Sequence, residues 1–194
     1  LKRSDIEIMA PVGSYESLMA AIQAGANSVY FGIEMLNMRA RSSNNFTTED
    51  LANIVKICNE HGIKSYLTVN TIIYDKDMET LHKVMKAAKD NNVSAIIACD
   101  IAAIQCAIEY GVEVHISTQL NISNTQAVRF FSQYADVVVL ARELNLMQVK
   151  EIYKAIQDEH ICGPKGELVK LEMFCHGALC QAISGKCYLS LHEN

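Results

Sequence analysis

The sequence predicts an α/β protein with a (β/α)8 TIM-barrel-like fold that is truncated after about seven strands. Two patterns indicate this fold: short apolar runs alternate with helical patterns along the chain, and the apolar runs are nearly continuous. Strands that are separated by helices form parallel βαβ units, and continuous apolar strands are buried on both faces. Complete barrels of this type need about 250 residues, and the chain has 194 residues. We therefore expect residues 1–194 to form a single barrel-like domain, the N-terminal part of a longer protein.

The predicted elements follow one another with short connections. The predicted strands are Ile6–Ala10, Val29–Gly32, Ser65–Asn70, Ala95–Cys99, Val114–Thr118, Asp136–Ala141 and Leu168–Phe174. The predicted helices are Tyr15–Ala24, Thr48–Glu60, Met78–Asn91, Ile101–Glu109, Thr125–Tyr134 and Leu146–Gln157. Thr47 is a suitable N-cap for the second helix, and Gly25, Gly62 and Gly111 stand where helices should end.

A doubly wound open sheet is the main rival to the barrel. Such a sheet usually carries a glycine-rich first turn that binds a nucleotide, with the pattern G-x-G-x-x-G. The first turn here is Pro11-Val12-Gly13-Ser14, which does not match that pattern. The barrel is therefore favoured.

Composition and charge limit the classes of function. The net charge is −5, half of the residues are apolar, and Lys and Arg form no dense block, so electrostatics give no positive support for nucleic-acid binding. No apolar run reaches the ~18 residues of a membrane span, so we expect no membrane association. Seven cysteines, an odd number, are typical of a reducing compartment, and we expect a cytoplasmic protein.

Polar residues follow the predicted strands, at the end of a barrel where loops carry the chemistry. Asp100 and Asn124 are best interpreted as helix N-caps, and His115, inside a strand, as a hydrogen-bonded core residue. Glu143 is expected to pair with Arg142 or to begin the next helix. Arginine suits the binding of carboxylate or phosphate groups because its planar fork of donors matches them. The candidate binding residues are Arg39, Asn70, Gln119, Arg142 and His176.

Three cysteines near the C-terminus suggest a metal site. Cys175, Cys180 and Cys187 have the spacing C-x4-C-x6-C, which is neither that of zinc ribbons nor a standard ferredoxin spacing. A closed iron–sulfur or zinc site takes four ligands, so further ligands must come from Cys58, Cys99, Cys106 or Cys162, or from beyond Asn194. A Cys175–His176 nucleophile pair is geometrically poor because adjacent strand residues point to opposite faces.

The stretch EMFCHGALC, followed after four residues by GKCYLS, resembles the signature of the collagenase-like peptidases, peptidase family U thirty-two. The resemblance extends over essentially the whole chain, through APVGSYESLMAAIQAGANSVYFG, LTVN, HISTQLNISN and VVLARELNL. It implies a barrel-like domain that carries a four-iron, four-sulfur cluster. Cys180 and Cys187 match the first two cluster ligands, and Cys175 falls where the family usually has an apolar residue.

The family resemblance implies several functions. The leading one is hydroxylation of a pyrimidine in tRNA or rRNA, with prephenate as co-substrate and tRNA or rRNA as partner. The alternatives are a collagenase-like peptidase and a subunit of an oxygen-independent quinone-precursor hydroxylase, which would pair with a homologous subunit. We expect the 194-residue chain alone to be inactive because the other cluster ligands would follow Asn194.

Overall fold

The fold is a single parallel sheet that curls into an incomplete barrel with helices on its outer face. A computed structural model describes residues 2, 5–33, 36, 46–177 and 182–186. Its seven strands are hydrogen-bonded in the order β1-β2-β3-β4-β5-β6-β7, and each pair is parallel. Their bounds are β1 Met9–Pro11, β2 Ser28–Gly32, β3 Lys64–Val69, β4 Ala95–Ala98, β5 Val114–Ile116, β6 Val137–Val139 and β7 Lys170–Glu172. This sequential order confirms the barrel-type prediction, since a doubly wound sheet reverses its strand order partway.

The helices lie where the sequence predicts them, within a few residues at each end. Their bounds are α1 Tyr15–Gln23, α2 Thr48–Glu60, α3 Met78–Asp90, α4 Ile101–Glu109, α5 Thr125–Phe131 and α6 Leu146–Asp158. Thr47 caps α2, as predicted: its side chain accepts a hydrogen bond from Asp50 N, and Asp50 accepts one from Thr47 N. The expected glycines follow helix ends with positive φ, at Gly25, Gly62 and Gly111.

The first strand begins later than predicted. It starts at Met9 rather than Ile6. The Ile8 carbonyl accepts hydrogen bonds from both Asn27 N and Ser28 N, so the chain enters the sheet through an irregular contact before the regular ladder begins. The last three strands are also shorter than their apolar runs. Leu140 and Ala141 remain buried past the end of β6, whereas Met173 and Phe174 are exposed past the end of β7.

The main hydrophobic core lies between the outer face of the sheet and the helices. Strand residues such as Val29, Leu67 and Ile116 alternate with inward-facing neighbours and belong to one buried cluster with Leu51 of α2 and Leu81 of α3. A smaller apolar cluster lies on the inner face of the curled sheet and contains Tyr66, Ala95 and Ile97, with Met9 and Tyr30 packed against it. No helix of the described residues has the length and apolar character needed to cross a membrane.

Candidate functional site

A short segment after β7 docks onto the loops at the carboxyl ends of β5 and β6. The Ser184 amide donates a hydrogen bond to Glu143 Oε1 (2.8 Å). The Ser184 hydroxyl accepts one from Arg142 N (3.3 Å) and a longer one from Arg142 Nε (3.5 Å). Ser184 is 1% exposed. The loop after β6 therefore holds residues 182–186 through one buried serine.

Gly185 brings the same segment against the loop after β5. Its φ is +76°, in the left-handed region that favours glycine. A Cβ placed there would lie 3.1 Å from the carbonyl carbon of Gln119 and well inside contact distance of that carbonyl oxygen. Gly185 is thus required twice, by its backbone conformation and by the close approach of Gln119.

The charges at this rim are arranged around Ser184. Burial alone would raise the pKa of Glu143, but the Ser184 amide, its own amide, the Ser184 hydroxyl and the neighbouring Arg142 charge together hold that pKa below its usual range. Glu143 is therefore an anion at neutral pH. Arg142 is exposed, with its guanidinium near that anion and open to a ligand.

The remaining predicted binding residues occupy the ends of alternate strands. Asn70 directly follows β3 and is partly buried, and Gln119 lies in the 3-10 turn Thr118–Leu120 after β5. His176 lies four residues past the end of β7, is exposed, and makes no hydrogen bond or ion pair to another described residue. The structure brings Gln119 and Arg142 together through residues 184 and 185. Arg39, Cys180 and Cys187 lie outside the described residues.

Asp100 and Asn124 are helix N-caps, as predicted. Asp100 Oδ1 accepts a hydrogen bond from Ala102 N (2.8 Å) at the start of α4. Asn124 Oδ1 accepts one from Ala127 N (2.9 Å) at the start of α5. Asp100 Oδ2 also accepts from Ile73 N (3.2 Å), which ties the loop after β3 to the loop after β4. Both side chains therefore stabilise the loops and helix starts that form the rim.

The described cysteines do not gather into a metal site. Within the described ranges no group of three or more His, Cys, Asp and Glu side chains is placed to hold a metal ion. Burial raises the pKa of the Cys58 thiol to about 11 and that of Cys99 to about 12, the latter helped by Asp100. Cys106 lies 3.5 Å from His82 Nδ1, between α3 and α4, and burial raises its pKa also. Cys175 is exposed. The thiols of Cys58, Cys99 and Cys106 are protonated at neutral pH, the opposite of what a metal ligand or nucleophile needs.

Sequence reasoning did not find the role of Ser184 and only partly found that of Glu143. Glu143 does lie beside Arg142, as expected, but its carboxylate is engaged by the Ser184 amide, 41 residues away in the chain. The one sequence signal for this contact is the glycine between Ser184 and Lys186, which marks a turn.

A groove of about 490 Å³ lies at the other end of the barrel. Its lining includes Lys89, Ser94, Glu113, Asp136 and Lys165, which stand near the amino ends of the strands. Barrel enzymes carry their chemistry at the carboxyl ends, and residues at the amino ends usually serve stability. We therefore place the candidate site at the rim formed by the loops after β3, β5 and β6 and the segment 182–186.

Comparison with known proteins agrees with this architecture. Residues 13–194 match the model of peptidase family U32. A collagenase of Porphyromonas gingivalis is 68% identical over 191 residues, covering 98% of this chain and 46% of the relative. The tRNA hydroxylation protein P1 of Bacillus subtilis is 35% identical, covering 96% and 42%. A 23S rRNA 5-hydroxycytidine synthase of Escherichia coli is 32% identical, covering 95% and 26%. The chain spans less than half of the length of each of these relatives.

Solved structures share the fold. A U32 peptidase superposes with a TM-score of 0.62 at 15% identity, over 76% of this chain and 64% of that one. A 2,3-dimethylmalate lyase superposes with a TM-score of 0.54 at 15% identity, over 88% and 75%. At such identities the similarity establishes the barrel-like fold alone.

Proposed function

The chain belongs to peptidase family U32, and from this premise we propose that it is the barrel-like part of a longer enzyme that hydroxylates a pyrimidine of tRNA or rRNA. The observation that carries the proposal is the docking of residues 182–186 on the rim through Ser184 and Gly185. These residues lie between Cys180 and Cys187 in the sequence. The docking supports a site in which both cysteines belong to the functional end of the barrel.

The donor set suits an iron–sulfur cluster. Cys180 and Cys187 would supply two of its four thiolates, and residues beyond Asn194 would supply the others. When bound, a four-iron cluster supplies one-electron transfer. The fit rests on the chemistry of thiolate ligands and on the docked segment that separates the two cysteines. Burial raises the thiol pKa values of Cys58, Cys99 and Cys106, so these three are poor candidates for the missing ligands.

The polar rim suits a small dianionic co-substrate such as prephenate. Arg142, with Arg39, would bind carboxylates through paired N–H donors. Asn70, Gln119 and His176 would hydrogen-bond the remaining oxygens and orient the ligand. Glu143 keeps Arg142 in place because its carboxylate is fixed by the Ser184 amide. The residues of this chain thus bind and orient, and RNA contacts would come largely from the rest of the longer protein, since this part carries a net charge of −5.

Protein cleavage is the second candidate function, favoured by the 68% identical relative that is named a collagenase. The described residues give little support to a cysteine peptidase. Among them, Cys106 and His82 form a cysteine–histidine contact, but it lies between α3 and α4, away from the rim, and the thiol pKa is raised. A third candidate, a subunit of a quinone-precursor hydroxylase, would require a homologous partner chain.

Nucleoside mass spectrometry of a deletion strain tests the proposal. Deleting the gene for the whole protein should remove one hydroxylated pyrimidine from tRNA or rRNA, and the wild-type gene should restore it. Arg142→Ala should fail to restore it. Arg129→Ala, a matched change of another exposed arginine on α5 that pairs with Glu159, should restore it. Unchanged nucleosides in the deletion strain would contradict the RNA function.

Two further measurements separate the candidates. The whole protein, purified without oxygen, should contain iron and acid-labile sulfide; a preparation with neither would eliminate the cluster. Cleavage of collagen peptides by that preparation, abolished by iron chelation and independent of RNA, would support the peptidase instead. Co-purification with a second homologous chain would support the quinone-related candidate.

A further inference from the structure

The groove of about 490 Å³ at the amino ends of the strands has room for a small molecule. Pockets that bind such ligands have volumes of about 300–1,000 Å³. Four connections of the chain meet there: the ends of α3 and α4 with the loops into β4 and β5, the loop into β6, and the turn before β7. The groove lies at the opposite end of the barrel from the rim, so its occupancy does not depend on the function proposed for the rim.

Lys89 brings an unpaired cation to this groove. It lies in the last turn of α3, and its Nζ donates a hydrogen bond to the carbonyl oxygen of Gly111, which also lines the groove (3.0 Å). Lys86, earlier on the same helix, pairs with Asp90 instead (2.5 Å). Lys89 makes no ion pair with an acid among the described residues. Two of the three N–H donors of its ammonium group therefore remain available.

Asp136 brings an acid with an unused oxygen to the same groove. Its Oδ1 accepts a hydrogen bond from the Lys165 amide (3.0 Å). The ammonium group of Lys165 is bound by Glu113 rather than by Asp136. Asp136 Oδ2 accepts no hydrogen bond from another described residue. Lys89 and Asp136 line one groove without pairing with each other, so both opposite charges are available to a ligand.

Much of the remaining lining is apolar. Ile108 of α4 lines the groove and is 47% exposed. Tyr134 also lines it, and its ring contacts the exposed ring of Phe130, with centroids 6.0 Å apart. An apolar group of a ligand that covers this surface would remove it from water and gain hydrophobic stabilisation.

The charges of the groove discriminate between classes of ligand. Lys165 and Glu113 neutralise each other, which leaves Lys89 positive and Asp136 negative. An anion bound at Lys89 would meet two acids, and a cation bound at Asp136 would meet two lysines. A molecule with both a carboxylate and an ammonium group matches both charges and leaves the groove electrically neutral. An α-amino acid carries these two groups and a side chain on one carbon atom.

We propose that the groove at the amino ends of the strands binds a free α-amino acid with an apolar side chain. The ligand carboxylate would accept hydrogen bonds from Lys89, and the ligand ammonium group would donate to Asp136 Oδ2. The apolar side chain of the ligand would cover Ile108 and Tyr134.

Titration of the whole protein with matched probes tests the site. L-Phenylalanine and L-leucine carry both charges, phenethylammonium lacks the carboxylate, and 3-phenylpropanoate lacks the ammonium group. The methyl groups of Ile108 are the NMR reporter, and those of Ile101, exposed at the other end of α4, are the control. Both amino acids should shift the Ile108 signals in a saturable way and leave Ile101 unchanged. Each singly charged analogue should bind about tenfold or more weakly than phenylalanine, since a hydrogen bond to a charged group contributes that factor or more.

Two variants identify the charged groups. Lys89→Met should weaken phenylalanine binding by about tenfold or more and remove the preference for phenylalanine over phenethylammonium, while the preference over phenylpropanoate persists. Asp136→Asn keeps an oxygen for the Lys165 amide and should remove the preference over phenylpropanoate instead. Lys86→Met, the matched control on α3, should bind phenylalanine as the wild type does. Circular dichroism and thermal melting of each variant establish that it is folded before its binding is compared.

Three results would each overturn the proposal. The first is an Ile108 signal that responds to neither amino acid. The second is a singly charged analogue that binds the wild type as tightly as phenylalanine does. The third is a folded Lys89→Met variant that binds phenylalanine with unchanged affinity.

Discussion

Substitution of Gly185 by alanine tests the docking of segment 182–186 most directly. Gly185 has φ +76° and a Cβ there would collide with the carbonyl group of Gln119. Gly166 is a matched control, because its φ is +77° and a Cβ there would have nothing within 4 Å. Gly166→Ala therefore carries the backbone strain alone, and Gly185→Ala carries the strain and the collision.

The two contributions have different magnitudes. The left-handed conformation costs a residue with a Cβ roughly 1–2 kcal/mol, and both variants bear it. Forcing an extra methyl group into a packed contact costs roughly 1–3 kcal/mol more, and only Gly185→Ala bears it. The segment is held by Ser184 and Gly185, so it should open locally, with little loss of global stability.

Hydrogen exchange of the Ser184 amide measures this local opening, since that amide is bonded to Glu143. In Gly185→Ala its exchange should be faster than in Gly166→Ala by about tenfold or more, the factor that corresponds to about 1.4 kcal/mol. Urea unfolding should show little loss of global stability in Gly185→Ala, because its segment opens locally, and a loss of up to roughly 1–2 kcal/mol in Gly166→Ala from the left-handed strain. In the whole protein Gly185→Ala should also lower the iron content. Equal Ser184 exchange in the two alanine variants would refute the account of the docking.

Three further predictions concern stability. Glu172→Gln should be more stable than wild type at pH 8, because the folded wild type favours the protonated carboxyl group: the pKa of Glu172 is raised from its usual 4.5 to about 7. The stability that the wild type gains from this proton is full below pH 4.5 and is lost as the pH rises to 7, by up to about 3 kcal/mol. Urea melts from pH 4 to 8 that show a constant difference in stability between variant and wild type would refute this prediction. Thr47→Ala should lower the free energy of unfolding by about 1 kcal/mol through loss of the α2 cap, and Thr48→Ala, one residue into the helix, should cost less in the same urea melts. Leu67→Ala, at a strand position with 0% exposure, should cost about 2–5 kcal/mol, whereas exposed Leu146→Ala should be nearly neutral; comparable losses would contradict the placement of the core on the outer face of the sheet.

The order of the elements could be predicted because it depends on local patterns. Helix α2 and helix α4 have the predicted bounds to the residue, since a cap side chain at Thr47 or Asp100 begins each one and the apolar period defines its length. The strands were located correctly, but β1, β4, β5, β6 and β7 were overestimated in length, as with Ile6–Ala10. An apolar run records burial, whereas a strand requires a paired neighbour, and sequence alone does not show where pairing stops.

The candidate site was predicted less completely. The rule that strand ends carry the polar side chains identified Asn70, Gln119 and Arg142, because it follows from the topology of a barrel. The contact of Glu143 with Ser184 spans 41 residues and depends on how two loops meet. No local sequence pattern predicts a contact between two loops that are so far apart in the chain.

The sequence by itself determined the fold class, the family and the identity of the cysteines and arginines that the proposed chemistry requires. Only the tertiary structure decided which side chains share a level inside the barrel. His115 is a buried, hydrogen-bonded strand residue, as expected, but its Nδ1 is buried without a partner among the described residues. Its ring lies against that of Tyr66, which is distant in sequence. The physical reason is strand tilt: it offsets each strand by about one residue from the next, so interior neighbours follow from register and shear rather than from spacing along the chain.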